Sequence, residues 1–102
     1  MKLIQELSEM IEEEIDGAEE YAKEALKYKS SDSSLAQTFY DIAGVELEHV
    51  NLLHKQVVRI IEQHRREHGE PPAPMMAVYD YLHGKHIEEV AEVRHYLAMF
   101  RE

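Results

Sequence analysis

Three long windows of apolar residues spaced three and four apart, separated by two short breaks, constrain this chain more than any other feature of it. From about Lys2 to Lys29, Ile4, Leu7, Ile11, Glu14, Ala18, Tyr21, Ala25 and Tyr28 hold that spacing without interruption. The pattern predicts a helix of about 40 Å at 1.5 Å per residue. Ser30-Ser31-Asp32-Ser33-Ser34 is turn chemistry, and Ser34 followed by Gln37 has capping-box spacing. A second helix is expected over about 34–68, on the stripe Leu35, Phe39, Ile42, Glu46, His49, Leu53, Gln56 and Ile60. Gly69 and the prolines at 71, 72 and 74 end it. A third helix is expected over about 75–100, on Tyr79, Leu82, His86, Val90, Val93, Leu97 and Phe100.

Both connections are short, so neighbouring helices run antiparallel. The break after Gly69 spans at most about 20 Å, too little to carry the chain back along the second helix. The expected fold is therefore all-α: one domain over 1–102, an antiparallel hairpin plus a third helix. A turn centred near residue 31 sets Glu14 opposite Glu48, level with Glu46 and His49. The same reasoning about the second break sets Glu46 and His49 opposite residues 94–97, beside Glu92 and His95.

A chain of 102 residues buries a modest core alone, which favours association. The formal charge of −10 leaves no basic face for nucleic acid. No apolar run approaches the roughly 20 residues needed to span a bilayer, and nothing resembles a signal peptide, so a cytoplasmic location is expected. The absence of cysteine excludes disulfides and thiolate metal sites in this chain.

Glu14, Glu46 and His49 are polar intrusions into otherwise apolar stripes, and they meet at one height. Spacing alone is weak in a chain with 21 acidic residues and 7 histidines; the placement on facing stripes is the signal. No lysine or arginine stands on the first two stripes, so a bound cation is the natural counter-charge. Carboxylates plus imidazole suit iron(II), manganese(II) or zinc over calcium or magnesium. One chain supplies too few ligands for two metals. Pairing two chains about a twofold doubles the set, and the carboxylate charge then matches two divalent ions. His54, His64, His68 and His83 read as surface residues, and Tyr28, Tyr40, Tyr79 and Tyr81 as packing.

Glu14 with Tyr21 six residues after it, followed by Glu46-x-x-His49 on the next helix, resembles the ferritin-like di-iron carboxylate proteins, in which a helix-borne Glu and a Glu-x-x-His motif build half of the metal site. In rubrerythrins and ferritins the other half lies on two further helices of the same chain. This chain has no fourth helix, and it looks more like the encapsulated ferritins, which complete the centre across a dimer interface. The resemblance implies a four-helix bundle completed by dimerisation, two irons per dimer site, and ferroxidase- or peroxidase-like chemistry with oxygen or peroxide. It implies Glu14 as a terminal ligand, Glu46 as the bridge and His49 as the nitrogen ligand, with Tyr21 as hydrogen-bond partner or radical sink. Glu92-x-x-His95 beside Tyr96 resembles the Glu-x-x-Glu-Tyr pattern of a rubrerythrin third helix, and so adds Glu92 and His95 as further ligands. An external electron donor or an encapsulating shell would be the partner. The alternative is a non-catalytic helical dimerisation module, with structural metal or with buried polar residues that fix register.

Overall fold

A computed structural model describes residues 2–102. Three helices, α1 (Lys2–Tyr28), α2 (Ser33–His68) and α3 (Ala73–Phe100), form an up-down-up bundle measuring 56 × 19 × 18 Å. Among the described residues there is no strand, and no helix is long and apolar enough to cross a membrane.

The helix ends follow from local chemistry. Asp32, not Ser34, caps α2: its Oδ1 accepts the Leu35 N–H at 3.1 Å, and the backbone N–H of Asp32 closes the preceding turn onto the Tyr28 carbonyl at 2.9 Å. Asp is as strong an N-cap as Ser, so the capping box expected at Ser34 and Gln37 is not needed. At the other end Gly69 takes φ 82°, a left-handed value that suits glycine, and its N–H reaches the Arg65 carbonyl at 3.0 Å. Helix α3 starts two residues earlier than the spacing suggested, because Pro74 falls in its first turn, where a missing N–H costs nothing. Its far end is capped by Lys29, whose ammonium donates to the carbonyls of Met99 at 3.2 Å and Glu102 at 2.9 Å.

Cross-helix contacts give the directions. Glu14 meets His49 and Tyr21 meets Phe39, so α1 and α2 are antiparallel. Tyr40 stacks on Phe100 and His54 on His83, so α2 and α3 are antiparallel too. Glu12 meets Lys85 and Lys23 lies over Tyr96, so α3 runs parallel to α1. It lies mainly along α1 and touches α2 far less.

The core differs from the expected stripes by a rotation. On α1 the buried line is Ile4, Ser8, Ile11, Ile15, Ala18, Ala22 and Ala25. On α2 it is Ala36, Ala43, Val50, Val57 and Ile61. Leu35, Phe39, Ile42, Leu53 and Ile60 lie to one side, partly or fully exposed, turned roughly 70° from the core line at 3.6 residues per turn. Alanine fills the seam near the α1–α2 turn and Ile or Val fills the other end, so the side chains allow the closest approach where the chain reverses. From α3, Val93 is fully buried against this seam and His86 is nearly so. Four further expectations are corrected by burial. His54, His64 and His83 are partly buried and not surface residues, whereas Tyr81, expected to pack, is 72% exposed.

Truncating the fully buried Ile15 to alanine should cost about 2–5 kcal/mol, read from the urea midpoint. Leu52→Ala, at a side chain 60% exposed, should stay within about 0.5 kcal/mol.

Candidate metal centre

Antiparallel packing of α1 on α2 brings Glu14 from the first helix against Glu46 and His49 from the second. His49 lies one turn beyond Glu46, so both project to the same side. Glu14 Oε2 is 3.2 Å from His49 Nδ1, and one ligand atom from each of the three residues fits within a 4.8 Å span. The register expected from the turn is met within one residue.

The trio is not in the dry core. It lies on the rotated flank, with the Glu14 side chain 29% and the His49 side chain 48% exposed, among partly exposed apolar residues that include Leu7, Met10, Ile42 and Leu53. A Cβ added at Gly17 would sit 3.7 Å from the Glu46 carboxylate, so glycine there leaves the approach to that group uncrowded.

The two carboxylates behave as a pair. Glu46 is pushed above the ordinary carboxylate range by the hydrogen bond it shares with Glu14, by burial and by the Glu14 charge. Glu14 is pushed below it by the same shared hydrogen bond and by His49, with burial opposing. They therefore hold one proton between them more readily than either would alone. Among the described residues no lysine or arginine forms an ion pair with either group. The set is neutralised by a proton and an imidazole, or by an ion that displaces the proton. Two carboxylate oxygens and a ring nitrogen at this separation fit a first-row divalent cation, with coordination positions left open.

The remaining candidates fall elsewhere. The Tyr21 ring stacks on Phe39 at 5.9 Å, and its hydroxyl makes no hydrogen bond to Glu14, Glu46 or His49 among the described residues. Glu92 and His95 are exposed on α3: Glu92 accepts from the Tyr96 hydroxyl at 3.0 Å, and His95 tilts against the Tyr96 ring. Neither is grouped with the Glu14 trio. The reason is topological. Helix α3 occupies the side of α1 that carries Glu12 and Lys23, and Glu12, two residues before Glu14, projects nearly opposite to it.

That side holds a second cluster the sequence reading did not single out. Carboxylate oxygens of Glu12, Asp16 and Glu89 also fit within 4.8 Å. Here the chain supplies its own cation and an imidazole: Lys85 Nζ stands 3.4 Å and His86 Nε2 2.9 Å from Glu12, and Lys85 is 3.7 Å from Glu89. Burial, followed by the Glu12 charge, raises Glu89. The only signal for this cluster in the sequence is a Glu12-to-Lys85 offset, legible once α3 is known to run parallel to α1. Comparison of the chain with protein-family models, curated proteins and solved structures gives no match.

A carboxylate whose folded-state pKa is raised costs stability once pH rises past its unfolded value, and that cost is absent in acid. Glu46→Gln should therefore stabilise the metal-free protein at pH 7, by up to about 1 kcal/mol for so open a site. The gain should vanish below about pH 4. Urea unfolding in the presence of a chelator measures both, and a destabilised variant at pH 7 would contradict the shared-proton description.

Proposed function

We propose that this protein is a metal-binding oxidoreductase of ferritin-like design, in which Glu14, Glu46 and His49 hold a redox-active divalent ion, iron before manganese or zinc. One observation carries the reading: two carboxylates and an imidazole from two helices converge within 4.8 Å, with no lysine or arginine paired to them among the described residues. On this reading Glu46 surrenders its shared proton as the ion arrives, so binding strengthens as pH rises through the range where that proton is lost. His49 supplies the nitrogen that favours iron over calcium.

The exposed flank completes the proposal. Three ligands leave a centre unfinished, and exposed apolar residues on the same flank, Met10 one turn from Glu14 and Leu35 further along α2, at 49% and 37% exposure, would be covered by a second copy. A twofold placed at Glu46 doubles the ligand set and makes a four-helix arrangement from two hairpins. The bound metal supplies one-electron chemistry: iron(II), as substrate, gives up an electron to oxygen or peroxide. The chain's own residues bind the ions, set their separation and, once paired, exclude bulk water. On this reading Tyr21, whose ring stacks on Phe39, would join electron or proton transfer by turning its hydroxyl toward the pair.

A second reading, a non-catalytic dimerisation module, is favoured by the shared proton, which satisfies Glu14 and Glu46 without any ion. The two are separated by adding iron(II) without oxygen, admitting air and following the near-ultraviolet ferric charge-transfer band. The wild type should develop the band, and Glu46→Ala should lose it or slow it by at least about tenfold. Identical, flat traces for both proteins would leave only the dimerisation module.

A further inference from the structure

Three imidazoles gather where helix α3 meets the hairpin. His54 of α2 and His83 of α3 stack face to face, with ring centroids 4.5 Å apart and planes within 4°. The Tyr79 ring is parallel to His83 as well, at 5.7 Å. One turn further along α3, His86 is 7% exposed and points Nε2 at Glu12 of α1. A cavity of about 190 Å³ between α2 and α3 is walled by His54, His83, His86 and Arg94, so protons and water reach the rings.

Two neutral imidazoles stack comfortably, but two imidazolium ions at that separation repel. We propose that the His54–His83 stack, backed by His86, is an acid-sensitive latch that keeps α3 docked while the rings are neutral and lets it swing away when they are protonated. It does not depend on the metal reading, because the latch and the Glu14 trio lie on different faces of the hairpin.

Every charged group around the rings bears on the sign. Arg94 on α3 lines the same cavity and disfavours further positive charge there. Lys85 on α3 acts in the same direction on His86. Glu12 on α1 opposes, since it attracts a protonated His86, while Glu89 on α3 is occupied with Lys85. Burial outweighs Glu12 and holds His86 below the usual histidine range, and burial with the neighbouring His83 and His86 holds His54 below it. A base depressed in the folded state leaves stability untouched above the free histidine pKa of about 6.5 and lowers it as pH falls below that value. The stack sits at the α2–α3 contact, which is far smaller than the α1–α3 contact, so the release opens α3 from α2 first.

Amide hydrogen exchange on the full chain, expressed as protection factors at pH 7.5 and pH 5.5, tests the latch. Protection over residues 76–97 should fall by about tenfold or more, one pKa unit's worth, while α1 and α2 change little. The double variant His54→Phe, His83→Phe keeps the stacked rings without the protons and should lose the pH dependence. Equal pH dependence in the variant, no loss in the wild type, or uniform loss over all three helices would each overturn the proposal. Should the variant fail to fold, the imidazole resonances of the wild type decide: a His54 titration midpoint below that of free histidine supports the latch, and a midpoint at the free value refutes it.

Discussion

The close α1–α2 seam governs this molecule. Ala18, Ala22, Ala25, Ala36 and Ala43 are all fully buried, and side chains this small let two helix backbones approach and fix their register near the turn. From that fixed end the register propagates along both rods, and it is what sets Glu14 against His49 without any long-range signal between them. The Ile and Val residues of the opposite end are the larger buried side chains and contribute more apolar area each, at roughly 25 cal/mol per Å² removed from water. Position is decided by the small residues and cohesion by the large ones.

Two acidic clusters three residues or fewer apart on α1 show how differently the same residue type can be used. Glu12 faces the third helix and finds Lys85 and His86 there, so its charge is met inside the chain and it serves docking. Glu14 faces away; among the described residues it finds another carboxylate and a histidine, with which it shares hydrogen bonds, and no lysine or arginine. The difference comes from which side of α1 the third helix covers. A charge without a built-in partner, beside apolar residues without a cover, is the combination that suggests an ion and a second copy.

The hairpin and its register were legible because a short turn leaves little freedom: counting outward from Ser31 puts Glu14 within one residue of its observed partner. The rotation of the core was not legible. Leu35, Phe39 and Ile42 are larger and more hydrophobic than Ala36 and Ala43, so the spacing pattern favours them, yet close packing selects the alanines and leaves the bulky residues on the flank. Glu14, Glu46 and His49 therefore meet as their stripes indicate, but with more exposure than a core stripe implies. The third helix was half legible: its direction followed from the short break, but its choice of α1 over α2 depends on complementary side chains such as Glu12 with Lys85 and Val93 with the seam, which no local pattern reveals. For that reason Glu92 and His95 were expected beside Glu46 and are instead exposed, and the His54–His83 stack was mistaken for surface.

The account rests on an ion settling among Glu14, Glu46 and His49. The most direct measurement is anomalous diffraction from crystals grown with manganese(II) at neutral pH. The account expects a peak bounded by those three side chains, related to a second peak by a twofold that pairs two copies along the exposed flank. A map with no peak there, or with manganese only beside Glu12, Asp16 and Glu89, would contradict it.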